Sequence, residues 1–70
     1  MMARVSGAEK RAILQRAVNQ GGECMITRHA RVAYALRDDG LGDVSFDEIG
    51  FMDFTINDDG RHYLAAWGGR

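Results

Sequence analysis

The chain has no proline, one cysteine and one tryptophan, and no apolar run near the roughly 20 residues a membrane-crossing helix requires. Each absence excludes something. A lone thiol, Cys24, permits no intramolecular disulfide and no cysteine-based zinc site. It fits a reducing compartment, and the first residues lack the apolar core of a signal peptide, so the expected location is cytoplasmic. Without proline, no segment is barred from continuous helix or strand. Cys24, His29 and His62 are the only soft or imidazole ligands, and no D-x-D-x-D-G spacing occurs. No metal and no cofactor are expected. Nothing assembles a nucleophile with an oxyanion hole, so no enzyme is expected either.

Charge is present in quantity and unevenly placed. Residues 1–37 carry Arg4, Lys10, Arg11, Arg16, Arg28, Arg31 and Arg37 against Glu9 and Glu23, a net of +5. Residues 38–70 carry Arg61 and Arg70 against Asp38, Asp39, Asp43, Asp47, Glu48, Asp53, Asp58 and Asp59, a net of −6. The total of −1 conceals two opposite halves, each suited to a different partner.

Seventy residues make one domain, 1–70, with 1–5 and 68–70 as loose ends. Ser6-Gly7-Ala8-Glu9 matches a capping box, and Ile13, Leu14, Ala17 and Val18 share one face of a helix over 7–19. Asn19-Gln20-Gly21-Gly22 ends it. Glu23–Ile26 reads as a short strand. Thr27 reads as the N-cap of a second helix over 28–38, with Val32, Ala33, Leu36 and His29 inward and Ala30, Arg31, Tyr34 and Arg37 outward. Gly40 closes it. Alternation on both sides of Glu48-Ile49-Gly50 then predicts a β-hairpin. Asn57 caps a third helix whose apolar face is Tyr63, Leu64 and Trp67. The order is α-β-α-β-β-α, an α+β class. Periodicity assigns Met25, Val44, Phe46, Met52, Phe54, Leu64 and Trp67 to the core. It leaves Ile49 and Phe51 exposed at the hairpin tip.

The segment Tyr34-Ala35-Leu36-Arg37-Asp38-Asp39-Gly40-Leu41, a hairpin, and then Phe54-Thr55-Ile56-Asn57-Asp58-Asp59-Gly60-Arg61-His62-Tyr63-Leu64 resembles winged-helix proteins of the small phage and bacterial type. In that family a recognition helix ends in leucine, two charged residues and Gly-Leu. A wing hairpin follows and runs into a leucine-threonine-x-x-glycine-arginine helix start. Ile56 and Asn57 stand at the leucine and threonine, and Gly60 and Arg61 match directly. The resemblance implies a small winged-helix-like domain with a hairpin wing and a DNA-binding, transcription-regulating role. The second helix would enter the major groove of double-stranded DNA, with a homodimer on a palindromic site.

Two candidate surfaces follow. Arg28, Arg31, Tyr34 and Arg37 would form the nucleic-acid-binding helix, with Lys10 and Arg11 adding phosphate contacts. The bland alternative is an ordinary solvated face. Asp43, Asp47, Glu48, Ile49, Phe51 and Asp53 would instead bind a basic protein. Small winged-helix-like proteins of phages and mobile elements, some anti-CRISPR proteins among them, look similar in size and acidity. The resemblance then implies an inhibitor that docks a host nucleic-acid-processing complex. The bland alternatives here are helix capping by Asp58 and Asp59 and charged gatekeeping of a sheet edge.

Overall fold

The computed structural model describes residues 5–68. Three helices, α1 (Gly7–Asn19), α2 (Ala30–Asp38) and α3 (Asp58–Gly68), are interleaved with β1 (Glu23–Ile26), β2 (Gly42–Phe46) and β3 (Met52–Ile56). The fold is α+β, with one three-stranded antiparallel sheet in the order β1-β3-β2. The expected loose ends fall largely outside the described residues. Val5 is an exception to the expectation, because it packs against the core.

Local signals set the helix ends. The Ser6 hydroxyl accepts from the backbone N–H of Glu9, and the Glu9 carboxylate accepts from the N–H of Ser6. At the other end of α1, Gly22 N–H reaches Ala17 O and Gly21 N–H reaches Val18 O, the paired bonds of a Schellman motif. The same motif ends α2: Leu41 N–H donates to Leu36 O and Gly40 N–H to Arg37 O. Gly40 has φ +79°, a left-handed conformation that glycine adopts without a Cβ penalty. Leu41 then drops into the core beside Leu36.

The capping box carries a pH signature. The backbone N–H of Ser6, and next its hydroxyl partnership, hold the Glu9 carboxyl below its ordinary value of 4.5. A carboxyl with a lowered folded-state pKa adds stability above its unfolded pKa, and that stability disappears as pH falls through the folded value. Glu9→Ala is therefore expected to unfold at lower urea concentration than wild type at neutral pH. The gap should narrow once the pH is well below 4.5. A gap that widens on acidification would refute the cap's charged character.

The second helix begins later than expected. Its N-cap is His29, not Thr27, and His29 adopts φ 58° and ψ 45° with no side-chain capping bond. A left-handed residue at 29 reorients the chain, so that Ala30 is the first helical residue and Arg28 precedes the helix. His29 is exposed rather than inward. The remaining inward set, Val32, Ala33 and Leu36, is buried as the period predicts.

One sheet face meets the helices. Cys24, Ile26, Met52, Phe54 and Ile56 point into a core shared with Ile13, Leu14, Ala17, Val32, Leu36 and Leu41. α1 lies across β1 and β3, α2 packs against β2, and α3 packs on α1. Val44 and Leu64 are half-buried against this core. Three residues expected in it are exposed. Met25 lies between Cys24 and Ile26, so strand alternation turns it to the opposite face. Phe46 ends edge strand β2 at the hairpin end, past the cover of the helices. Trp67 is 62% exposed in the last turn of α3, where its ring meets Tyr63 at 6.3 Å and Arg11 at 5.4 Å.

Candidate interaction surface

Most of the basic side chains assigned to a nucleic-acid face already have intramolecular contacts. Lys10 Nζ lies 2.6 Å from an Asp39 carboxylate oxygen, joining α1 to the end of α2. The Arg11 guanidinium lies over the Trp67 ring. Arg37 lies 4.8 Å from the Tyr34 ring centroid and pairs with Asp38. Arg31 faces Glu9 at 3.8 Å. Arg16 donates to the Met25 carbonyl and so ties α1 to strand β1. Arg28 and Arg31 remain exposed around the start of α2. With Glu9, Asp38 and Asp39 alongside, the α2 surface has mixed charge rather than a basic stripe.

The opposite face of the sheet differs in kind. Register places Glu23, Thr55 and Asp43 in one row across the three strands, and Met25, Asp53 and Ser45 in the next. Asp53 is therefore the diagonal neighbour of both Glu23 and Asp43, at roughly 7–8 Å. These positions are exposed, apart from the partly covered Asp53. None of the strand positions on this face is basic. The ion pairs among the described residues leave these carboxylates out.

The sheet continues into a tightly bonded tip. Asp47 N–H donates to Phe51 O at 3.0 Å, and Gly50 N–H to Asp47 O at 3.1 Å. The Asp47 carboxylate accepts from the N–H groups of Ile49 and Phe51, at 3.0 and 2.8 Å. It thus satisfies the turn's backbone while keeping its charge at the surface. Around it, Phe46, Ile49 and Phe51 are 57%, 78% and 47% exposed.

The structure thus brings Asp43, Asp47, Glu48, Ile49, Phe51 and Asp53 to one hairpin. It adds three residues that the sequence pattern did not assign to that surface: Glu23, Met25 and Phe46. The signal for Glu23 and Met25 is the pairing of β1 with β3, a contact about thirty positions apart in sequence.

Compared with protein-family models, with curated proteins and with solved structures, the chain matches none.

The functional reading therefore rests on geometry. Cys24 is buried, and that burial pushes its thiol pKa up, toward the protonated and unreactive form. His29 and His62 are both exposed, on α2's lead-in and on α3. Among the described residues, no three His, Cys, Asp or Glu side chains converge as a metal site, and no helix is long and apolar enough to cross a membrane. A shallow groove of about 230 Å³ between α1 and α2 is lined by Glu9, Ala12, Ile13, Arg16, His29 and Val32. Two of its polar walls already have assigned work, Glu9 in the capping box and Arg16 on the Met25 carbonyl.

Proposed function

We propose that the protein is a non-enzymatic binding module of winged-helix type that docks a basic surface of a protein partner through its hairpin and outer sheet face. One observation carries this reading: Glu23, Asp43, Asp47, Glu48 and Asp53 are gathered on or beside an uncovered sheet face without a cation among its strand positions, whereas Lys10, Arg11 and Arg37 are engaged internally. A carboxylate face repels phosphate and attracts lysine and arginine, and complementary fields mainly accelerate encounter. An inhibitor from a phage or mobile element, competing with nucleic acid for a basic site on a host complex in the cytoplasm, is the form of activity this surface suits.

A second reading, duplex DNA binding by a homodimer through α2, draws on the exposure of Arg28 and Arg31 where a recognition helix would begin. One variant separates the two. Changing Asp43, Asp53 and Glu48 together to lysine converts a local −3 to +3 while leaving the Asp47 turn intact. Association with a basic protein partner, captured from nuclease-treated lysate of the source cells, should slow by about tenfold or more and lose its salt dependence. If the hairpin instead lies along DNA, the same variant should bind duplex more tightly than wild type. Unchanged binding to both would reject the acidic face as a recognition surface.

A further inference from the structure

The hairpin tip is apolar on both sides. Phe46 stands in the row of Ile26 and Met52, on the helix-facing side of the sheet. Phe51 is one residue before Met52 and opposite Asp47, so it belongs to the outer side. Ile49 projects from the turn between them and, at 78%, is the most exposed large apolar residue among the described residues. A surface that packs flat on a partner needs apolar groups on one face only. Groups on both faces and at the end gain contacts together only if the hairpin enters a concavity.

The tip is also suited to insertion. Asp47 accepts two backbone N–H groups and anchors two further backbone bonds across the turn, so little conformational freedom remains to be lost on binding. Around the apolar end stand Asp47 and Glu48, with Asp43 and Asp53 behind them. A cleft that accepts this shape would have apolar walls and a rim of lysine or arginine.

We propose that the hairpin acts as a plug: Ile49 enters an apolar cleft of a protein partner, Phe46 and Phe51 grip opposite walls, and the surrounding carboxylates meet a basic rim. This rests on the protein-binding reading above and adds the anchor residues and the shape of the partner site. It assigns Ile49 the role of a central buried anchor, for which truncation typically weakens binding by about thirtyfold.

The test is site-specific photo-crosslinking in nuclease-treated lysate of the source cells. A photo-reactive amino acid is placed at Phe46, Ile49, Phe51, Asp43 or Gln15 in separate samples. The expected result is crosslinks from 46, 49 and 51 to one and the same protein. Those from 46 and 51 should map to different walls of one concavity flanked by basic residues, and Gln15 should give none. Ile49→Ser should then weaken binding to that protein about thirtyfold with an unchanged melting temperature, because the side chain is exposed in the free protein. Crosslinks from 43 and 51 without 46 would mean flat docking, which overturns the plug but keeps the protein-binding function. Crosslinks to DNA in a parallel lysate left without nuclease would overturn both, and crosslinks to a second copy of this chain, or none at the tip, would overturn the plug.

Discussion

Phe54→Ala is expected to remove a large share of the protein's folding free energy, from about a third to all of it. Phe54 is fully buried in β3, the central strand, paired with Cys24 on one side and Val44 on the other. Its ring lies so close over Gly42 that a Cβ there would sit 2.6 Å from Cε1. Truncating a buried phenylalanine costs about 3–5 kcal/mol, from lost transfer energy and the cavity left behind. A 70-residue domain has only about 3.5–10 kcal/mol in total. The deletion therefore takes between a third and all of it. Urea unfolding followed by circular dichroism should show a variant that is largely unfolded in water or has a much reduced midpoint. A midpoint equal to wild type would mean that the assigned sheet register is wrong. Trp67→Ala supplies the contrast. Its side chain is larger, but it is 62% exposed and its main partners are Tyr63 and Arg11 at the surface. The expected cost is about 1 kcal/mol, that of an exposed aromatic and cation–π contact.

This contrast marks where sequence patterning succeeds and where it fails. Period two identifies which residues of a strand share a face, and it placed Met52, Phe54 and Ile56 together correctly. It does not identify how far a covering helix extends. Phe46 has the right parity for the core and lies at the uncovered end of the sheet. Trp67 likewise follows the apolar face of α3 to a turn where the packing surface has run out. Helix ends with local chemistry were readable: Ser6 with Glu9, Gly40 with Arg37, and Asn57 with Gly60 each place donor and acceptor three positions apart. The start of α2 was not, because the left-handed backbone at His29 leaves no pattern in the neighbouring side chains. Thr27 remained the better cap by composition alone.

The candidate surface divides in the same way. Asp43, Asp47, Glu48 and Asp53 stand out as a run of charge on an alternating hairpin. Their assembly with Glu23 and Met25 depends on β1 joining the far side of β3, and no local signal encodes a pairing between residues 23–26 and 52–55. The basic half reads differently once folded. Counting arginines suggests a positive face, yet Asp39, Glu9 and Asp38 lie beside Lys10, Arg31 and Arg37 and offset their charge. Net charge per segment is a property of the chain, and a surface potential depends on which side chains are left without a partner.

Gly60→Ala is the substitution for which two physical effects pull in opposite directions. Gly60 lies in the first turn of α3, where helix propensity favours alanine over glycine by about 1 kcal/mol. Packing opposes it. A Cβ at this position would collide with the Leu41 carbonyl oxygen and come within 2.7 Å of Ile56 Cγ1. Neither neighbour can withdraw easily. The Leu41 carbonyl accepts from Asn57 N–H, Ile56 is buried in the core, and Gly60 N–H itself donates to Asn57 Oδ1 at 2.8 Å. Asn57 Nδ2 in turn donates to Gly40 O, so the end of α2, the entry to β2 and the start of α3 meet at one asparagine. Moving α3 outward to admit a methyl group would stretch all of these bonds together. Overpacking against yielding side chains costs about 1–3 kcal/mol, and here the main obstacle is backbone. The clash therefore exceeds the propensity gain, and a net loss of about 2 kcal/mol is expected, seen as a lower urea midpoint with an unchanged slope. Asn57→Ala should show a related loss of about 0.5–2 kcal/mol through the missing cap. A Gly60→Ala protein more stable than wild type would show that propensity wins and that α3 does not approach Leu41 as closely as the structure places it.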